Sequence, residues 1–405
     1  MSRVVKLEEL CIPDQIGKYG IPAVAEEFSE DKVRYLRITD IDDYGNLLEN
    51  DKKSVSSPEI EKYILKEGDI VFARTGNSTG RTYFHEEKNG ELAFAGFLIK
   101  FSLDESKVNP KYLKYFTLSK PYKQWVDNLS SGSTRGNINA KTFADCPIIL
   151  PPRAQQDYLV RVLSSLEEKM QTNNQINQEL EAMAKTLYDY WFVQFDFPDQ
   201  NGKPYKSSGG KMVYNPELKR EIPEGWGVEK LGNITICHDS KRVPLSSNDR
   251  ELVKGKIPYY GATGIMDYVN DYIFDGDYVL MAEDGSVMTE KGTPILQRIS
   301  GKNWVNNHAH VLEPVKNHSC KLIMMLLKDV SVMKIKTGSI QMKINQENMN
   351  KIVVPAIPLE LLFEINQKLE VIDKQQLNLI EENKQLTQLR DWLLPMLMNG
   401  QVKVE

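Results

Sequence analysis

The chain has few of the features that mark membrane, secreted or metal-binding proteins. Its longest apolar runs, such as residues 322–327, are far shorter than the roughly 20 residues that span a bilayer. The N-terminal Met1-Ser2-Arg3-Val4 lacks the apolar core of a signal peptide, so we expect a cytosolic protein. No Cys-x-x-Cys pair occurs, and we expect neither a disulfide framework nor a zinc site. The four cysteines are scattered: Cys11, Cys146, Cys237 and Cys320.

Motifs of the common nucleotide-using enzymes are also missing. The sequence holds no Gly-x-x-x-x-Gly-Lys-Ser/Thr phosphate loop and no Gly-x-Gly-x-x-Gly after a strand, which argues against nucleotide hydrolysis and a dinucleotide cofactor. No Asn-Pro-Pro-Tyr or Asp-Pro-Pro-Tyr segment is present to hold a flipped adenine. We therefore expect a binding protein without a catalytic site or a cofactor of its own.

Charge restricts what such a protein can bind. With 51 Lys and Arg against 56 Asp and Glu, the 405-residue chain carries a net charge of −5. A dedicated nucleic-acid-binding protein is usually basic overall, so any such surface here must be local or shared with a basic partner. The length itself predicts about two to four domains.

The most informative pattern is an internal repeat, offset by roughly two hundred residues. Gly68-Asp69-Ile70-Val71 returns as Gly276-Asp277-Tyr278-Val279, and Gly132-Ser133 returns as Gly338-Ser339. In each half, an apolar stretch that ends at a proline then leads into a long heptad-patterned segment. A repeat of this size indicates a duplicated domain with its own helix, because solenoid repeats have periods of about 20–50 residues.

Short apolar runs between turn residues give each half the pattern of a mixed α/β domain. In the first half, residues 110–126 predict a helix, and residues 194–225, rich in Pro, Gly, Ser and Asn, predict a long connector that ends in a turn. The predicted strands of the first half are 35–38, 69–73, 98–101 and 148–150.

Two segments change to heptad spacing. Near 153–192 and again after 357, apolar residues recur at alternating steps of three and four, which predicts two long helices with narrow apolar seams. Each seam contains an asparagine, Asn173 or Asn383, which would fix the register at a cost in stability. We place these residues in the seams: Leu159, Leu166, Asn173, Leu180, Leu187, Ile365, Ile372, Asn383 and Leu386.

The two helices would pair most simply as an antiparallel coiled coil, because they are connected through domains that must fold back. A helix of some 33 residues would be about 50 Å long at about 1.5 Å per residue. Two other interpretations remain open: the heptads complete the core of each domain, or they form the seam of a homodimer.

Two loops that leave apolar strands carry side chains suited to binding. We name residues 74–81 and 282–287 the strand-end loops. In the first, glycines would let the backbone approach a phosphate, while Arg and Asn can read guanine and adenine edges. In the second, acidic residues replace the basic ones, and a carboxylate can accept a hydrogen bond from the amino group of cytosine. Solvated turns are the plainer interpretation. The candidate DNA-binding residues here are Arg74, Thr75, Asn77, Ser78, Thr79, Arg81, Asp284 and Ser286.

A second pair of loops surrounds the repeated Gly-Ser. We name residues 130–139 and 334–345 the Gly-Ser loops. Both are polar with basic residues, which suits phosphate contacts that position rather than specify, although each could also be a turn that only fixes the next strand. The candidates are Ser133, Arg135, Asn137, Lys336, Ser339, Gln341 and Lys343. Tyr260 and Thr263 lie in Tyr259-Tyr260-Gly261-Ala262-Thr263-Gly264, which is either a stacking surface or ordinary strand packing.

Two of the five histidines lie together in Asn306-Asn307-His308-Ala309-His310. On a strand both imidazoles would share one face and could bind a metal, but the nearest carboxylate, Glu313, would point to the opposite face. We therefore expect no metal and favour a structural role. A DNA-facing role for Asn307 and His308 remains open.

Several motifs, taken in order, resemble the specificity subunit of type I restriction-modification systems over nearly the whole chain. The motifs are Ile222-Pro223-Glu224-Gly225-Trp226, Ile257-Pro258-Tyr259-Tyr260-Gly261, Phe274-Asp275-Gly276-Asp277-Tyr278-Val279-Leu280, Trp304-Val305-Asn306-Asn307-His308-Ala309-His310-Val311-Leu312, and the paired strand-Pro-helix units that end near Trp191 and Trp392. Their order, partly in duplicate, is what makes the resemblance specific.

The resemblance implies a mixed α/β (α+β) fold with a pseudo-two-fold internal repeat. Two globular target recognition domains would be separated by two long spacer helices that pair as an antiparallel coiled coil. The implied division is recognition domain 1 at 1–151, spacer helix 1 at 152–193, a connector at 194–222, recognition domain 2 at 223–356 and spacer helix 2 at 357–400.

The same resemblance implies a non-catalytic subunit that reads double-stranded DNA. Each domain would read one half of a split target, and the coiled coil would set the unread gap. Two modification subunits would dock along the helices, bring S-adenosylmethionine and methylate an adenine in each half-site. Restriction subunits would add translocation and nuclease activity that use ATP and Mg. The competing hypothesis is a coiled-coil adaptor whose domains bind proteins or peptides.

Overall fold

The computed structural model describes residues 2–130, 137–338 and 342–398. The chain divides into two compact units: unit 1 is Met1–Thr172 with Glu382–Glu405, and unit 2 is Asn173–Glu381. Both units mix helices and strands, which confirms the predicted fold class. Each long helix contributes one segment to unit 1 and another to unit 2.

The described strands of unit 1 form a ribbon and two sheets. The ribbon pairs Arg3–Lys6 with Pro147–Leu150 in antiparallel register. The main sheet has the order Lys18–Tyr19, Leu98–Ser102, Asp69–Ala73, Thr82–Phe84. The second sheet has the order Glu26–Glu27, Lys53–Ser54, Arg34–Leu36, Leu92–Phe94, and its last pair is parallel.

Unit 2 repeats this plan. Its ribbon pairs Gly227–Lys230 with Val353–Ala356. The main sheet has the order Thr235–Cys237, Ala309–Pro314, Tyr278–Ala282, Leu296–Ile299. The second sheet has the order Ile265–Val269, Lys254–Tyr260, Lys302–Val305, Phe274–Asp275. Each main sheet has four described strands. In both sheets, the strand that comes last along the chain, Leu98–Ser102 or Ala309–Pro314, lies between the strand that comes first along the chain and the central strand. This shared order confirms the duplication.

The central strand of each main sheet is buried on both faces. In unit 1, every residue of Asp69–Ala73 is buried. Ile70 and Phe72 pack into the core that contains the helices, whereas Val71 and Ala73 pack into the core shared with the second sheet. Two apolar faces produce a continuous apolar run, and this run is the sequence signal that predicts the strand.

The described short helices of unit 1 correct one prediction. A single helix over 110–126 is wrong, because the structure has one helix at Pro110–Phe116 and another at Lys120–Ser130. Pro121 has no N–H with which to continue the first helix, and its ring would clash with the carbonyl four residues earlier. Ala140–Ala144 is the third short helix.

The connector after the first long helix holds more structure than predicted. It contains an antiparallel hairpin of Met212–Asn215 and Arg220–Pro223. Asn215 stabilises the turn, since its Oδ1 accepts the N–H groups of Glu217 and Leu218, both at 3.0 Å. The short helices of unit 2 are Leu231–Ile234, Ser247–Leu252, Cys320–Leu327 and Gln346–Asn350.

The two long helices are Arg153–Tyr188, which continues as a π-helical turn over Asp189–Val193, and Leu359–Met398. Within unit 1 they run antiparallel: Lys169 pairs with Glu382 at 3.3 Å, while the earlier Leu159 shares a core with the later Leu394.

The residues predicted for the helix seams are all at least half-buried. Within unit 2, the Gln376 side chain donates to the carbonyl of Asn177 at 3.1 Å, so a polar contact also joins the two helices there. None of the helices in the described part of the chain combines the length and the hydropathy that a membrane span requires. The buried seam residues are Leu159, Asn173, Leu180, Ile365 and Ile372, and the half-buried ones are Leu166, Leu187, Asn383 and Leu386.

We expect Gly20→Ala to lower the free energy of unfolding by about 1–3 kcal/mol, the usual cost of overpacking. A Cβ atom at Gly20 would lie 2.3 Å from the carbonyl oxygens of both Phe94 and Ala95, so the backbone must move. Denaturant unfolding of the whole chain measures the change. Gly227→Ala is the control, because its Cβ would meet only the Ala356 Cβ at an ordinary 4.0 Å. Equal stability of the two variants would contradict the packing argument.

Candidate nucleic-acid interface

In unit 1 the strand-end loop is paired with the Gly-Ser loop. Thr75 forms an antiparallel bridge with Asn137, and the N–H of Ile138 donates to the carbonyl of Arg74 at 2.9 Å. Arg74 and Asn137 are 63 residues apart in the chain. The pairing therefore brings together two segments that the sequence predicts as candidate binding loops but does not place next to each other.

Unit 2 makes the same pairing at the repeated positions. Asp284 bridges to Lys343, and the N–H of Ile344 donates to the carbonyl of Glu283 at 2.8 Å. Arg74 thus corresponds to Glu283, and Asn137 corresponds to Lys343. The backbone arrangement is kept while the charge of the side chain changes.

A third segment joins both pairs of loops. The N–H of Arg74 donates to the carbonyl of Phe97 at 3.1 Å, and the N–H of Glu283 donates to the carbonyl of His308 at 2.8 Å. Phe97 and His308 each directly precede the last strand of their main sheet. We call the meeting point of these three segments the loop junction of each unit.

The loop junction of unit 1 has two exposed rings and an exposed amide beside the half-buried guanidinium of Arg74. The Arg74 guanidinium stacks 5.0 Å from the Tyr19 ring centre and donates to Asn137 Oδ1 at 3.2 Å. The Tyr19 hydroxyl accepts the N–H of Ala140 at 3.2 Å, which ties the ring to the end of the Gly-Ser loop. Phe97 is 60% exposed. Such a surface can stack, hydrogen-bond and carry positive charge.

The rest of the first strand-end loop divides between a cleft and the interior. Asn77, Thr79 and Arg81 line a cleft of about 280 Å³ with Lys123. Arg81 also pairs with Asp43 at 2.7 Å, so part of its charge is used within the protein.

One predicted residue of unit 1 is buried, and two others have no described position. Ser78 is buried, because the turn folds it under the loop, so its hydroxyl does not face solvent. Ser133 and Arg135 lie outside the described residues.

The loop junction of unit 2 contains a buried network of charges. Glu283 is only 8% exposed, and its carboxylate pairs with Arg242 at 2.6 Å and with Lys343 at 3.1 Å. Arg242 also lies 3.3 Å from the carboxylate of Asp239. Glu283 is therefore neutralised inside the protein, whereas Asp284 beside it stays partly exposed.

His310 has a structural role in that network. Its buried ring places Nδ1 2.5 Å from Asp239 Oδ2 and Nε2 2.8 Å from the carbonyl oxygen of Ile344. The ring thus joins the last strand of the sheet to the Gly-Ser loop. Burial alone would raise the pKa of the Asp239 carboxyl, but the hydrogen bond with His310 and the charges of His310 and Arg242 lower it below its usual range.

Asp239 and His310 also form a group of possible metal ligands with Cys237, all within 4.8 Å of one another. Burial, followed by the nearby Asp239 charge, raises the pKa of the Cys237 thiol to about 12, so the thiol is protonated at neutral pH. Arg242 already balances the carboxylate. We therefore interpret this group as part of the salt-bridged network. His308 faces Asp284 instead, so the two histidines do not converge on one site.

The other predicted residues of unit 2 surround the junction to different extents. His308 is 44% exposed at its side chain and lies 3.3 Å from Asp284. Tyr260 is half-buried, and its carbonyl accepts the N–H of Asn306 at 3.0 Å, so it adjoins the His308 turn. Lys336 is half-buried with Nζ 3.2 Å from Met342 Sδ.

The remaining candidates in unit 2 are surface residues or lie outside the described ranges. Asn307 and Ser286 are exposed, and Thr263 is exposed in the turn after Lys254–Tyr260. Ser339 and Gln341 are outside the residues that the structure describes.

Sequence reasoning missed four residues of the junctions. Tyr19, Asp239 and Arg242 come from segments distant in the chain, and no local pattern marks them. Phe97 is equivalent to His308 by strand pairing, because Ala73 pairs with Leu98 and Ala282 with Ala309. The two intervening segments differ in length, so the sequence alone does not align these two residues.

The fold of the whole chain is similar to that of a solved specificity subunit. A crystal structure of a type I restriction-modification S subunit from M. genitalium matches with a TM-score of 0.56 at 16% sequence identity, covering 98% of this chain and 96% of that one. A duplicated α/β domain with two long helices is therefore a known architecture.

The sequence identifies the family. The family model for the type I restriction modification DNA specificity domain matches residues 3–182 and again 223–388. The MjaIX specificity subunit of Methanocaldococcus jannaschii is 24% identical over 73% of this chain and 69% of its own length. The HindI specificity subunit of Haemophilus influenzae is 21% identical over 85% and 89%. The chain belongs to the type I restriction-modification specificity subunits, a family that recognises DNA targets.

We expect Arg242→Met to lower the free energy of unfolding by about 1–3 kcal/mol, because it removes the guanidinium from the buried Glu283 carboxylate and the partly buried Asp239 carboxylate. Denaturant unfolding measures the loss. Lys256→Met, at an exposed position, is the matched control and should change stability by less than about 0.5 kcal/mol. A loss no larger than that of the control would show that the network contributes no stability.

Proposed function

We propose that each unit reads one half of a split double-stranded DNA target through its loop junction. One observation carries this proposal: the same three-segment junction occurs in both units. Equivalent backbone hydrogen bonds form it in each unit, but its side chains differ. The corresponding pairs are Arg74 and Glu283, Asn137 and Lys343, and Phe97 and His308. A shared scaffold with different side chains is what two dissimilar half-sites require.

The side chains of the two junctions suit different base contacts. In unit 1, an Arg that faces DNA can bond guanine in a bidentate way, and an Asn can do so with adenine. In unit 2, the partly exposed Asp284 can accept a hydrogen bond from cytosine. Lys343 is paired with Glu283, but about half of its side chain is exposed and can contact phosphate. Glu283 is not a reader, because Arg242 and Lys343 already bind its carboxylate.

The same proposal covers the partners. Membership of the type I specificity subunits supports modification subunits as the partners. Two copies would dock along the long helices and carry S-adenosylmethionine. Restriction subunits would carry ATP and Mg. The chain itself would hold no cofactor and catalyse no step.

An adaptor that binds peptides through the same loops is the alternative function. The two hypotheses differ in their response to salt, because neutralising phosphates releases counterions and makes DNA binding weaken steeply as salt rises. An apolar peptide site changes little over the same range.

We expect a split methyladenine motif in the genomic DNA of cells that express this chain together with its neighbouring modification subunit. The motif should be absent from cells that lack the chain, because the modification subunit alone would have no target reader. Sequencing that detects methylated adenine measures both half-sites at once. The two half-sites should differ in sequence, since the two junctions carry different side chains.

The control is a modification subunit shown to be active in the same cells. If that subunit is active and no methylation depends on this chain, the proposed function is wrong and the adaptor hypothesis gains support.

We further expect one heptad, inserted at matching places in both long helices, to lengthen the unread gap while both half-sites stay unchanged. Seven helical residues add about 10 Å, equal to at most about three base pairs of DNA. The same methyladenine map measures the gap. A heptad inserted into one helix only is the control, because it breaks the pairing of the seams and should abolish the motif.

A change in the half-site sequences after the paired insertion would contradict the role of the helices as spacers. An unchanged gap would contradict it equally.

A further inference from the structure

We propose that Phe97 makes an apolar contact with a base in the half-site read by unit 1, and that His308 occupies the same position towards the half-site read by unit 2. This inference rests on the proposed DNA-reading function and identifies a residue on which its specificity depends. Phe97 belongs to neither pair of loops that the sequence nominates.

The backbone around Phe97 is fixed by hydrogen bonds on every side. The Leu98 N–H donates to the Ala95 carbonyl at 2.8 Å, and the Gly96 N–H donates to the Ile21 carbonyl at 2.9 Å. The Phe97 carbonyl itself accepts the N–H of Arg74. The backbone at Phe97 is therefore held in place before binding, which lowers the conformational entropy lost when the residue meets a ligand.

The neighbours of the ring determine which ligand it suits. A single exposed phenylalanine is ordinary on a protein surface. Here, however, the 60% exposed Phe97 is bonded through its backbone carbonyl to Arg74, whose guanidinium stacks on the half-exposed Tyr19 and bonds to Asn137. Polar groups and a cation around one apolar ring suit a nucleic acid, where the cation meets phosphate or a base edge and the ring meets a thymine methyl or a base face. An apolar peptide would require a broader apolar patch.

The equivalent residue in unit 2 gives the same position a different chemistry. His308 makes the same backbone hydrogen bond, to the N–H of Glu283. Its ring lies beside Asp284, which can orient it, and it presents nitrogen atoms rather than an apolar face. We therefore expect Phe97 to favour an apolar base feature and His308 to favour a hydrogen-bonding one.

The test uses the full chain in complex with its modification subunits and a duplex that carries the methylation motif. Phe97→Ala should weaken binding to that duplex by about ten- to a hundredfold, the usual effect of losing one base-pair contact. Binding to a duplex of unrelated sequence should be unchanged. Phe97→Leu should recover part of the loss, because it restores apolar contact.

Phe28→Ala is the matched control, since Phe28 is also an exposed phenylalanine of unit 1 but lies beside the second-sheet strand Glu26–Glu27. It should bind as the unchanged chain does. Thermal unfolding of each variant checks that none has lost its fold.

Single base changes in the duplex assign the contact to one half-site. With Phe97→Ala, changes at one position of one half-site should no longer weaken binding, while changes in the other half-site should keep their full effect. His308→Ala should show the opposite dependence.

The outcomes distinguish a failure of the proposed function from a failure of the base contact at Phe97. If the unchanged complex shows no preference for the motif, the proposed function fails. If it prefers the motif and Phe97→Ala binds equally well, this inference alone is overturned. Equal weakening on both duplexes would assign Phe97 to the DNA backbone, and that result also overturns the base contact.

Discussion

The backbone pairing between the strand-end loop and the Gly-Ser loop is the constraint on which the rest of each unit depends. It closes a long excursion of the chain by hydrogen bonds that involve no side chain, at Thr75 with Asn137 in unit 1. Directly afterwards, Asn139 accepts the N–H of Thr142 at 2.9 Å and begins the helix Ala140–Ala144. That helix leads to the ribbon strand Pro147–Leu150, which pairs with the first strand of the unit, Arg3–Lys6.

Because the pairing uses backbone atoms, the side chains at the junction can change without altering the scaffold. The replacement of Arg74 by Glu283 at the equivalent position is the clearest case. A buried carboxylate is costly without a partner, and unit 2 supplies Arg242 and Lys343 to offset that cost. The change of charge is thus accommodated locally, and the hydrogen bond that the N–H of this position donates to the third segment is kept.

The parts of the fold that could be predicted from the sequence are those with a local periodic signal. The buried strand Asp69–Ala73 and the heptads of the long helices have such a signal, and the repeat itself marked both pairs of loops. The break before Pro121 was missed because the apolar spacing continued across it. The pairing of Thr75 with Asn137, and the network around His310, depend on contacts between distant segments, which no local pattern encodes.

The charge balance of the junctions bears on how an acidic chain can recognise DNA. In unit 2, Arg242 and Lys343 are engaged with Asp239 and Glu283, so the network supplies little free positive charge. Sequence-independent affinity for DNA comes mainly from phosphate contacts, whereas discrimination comes from base edges. A chain with a net charge of −5 can therefore serve as the reader if basic partner subunits supply most of the phosphate contacts. Its own junctions then need only to distinguish bases, and for that task geometry matters more than net charge.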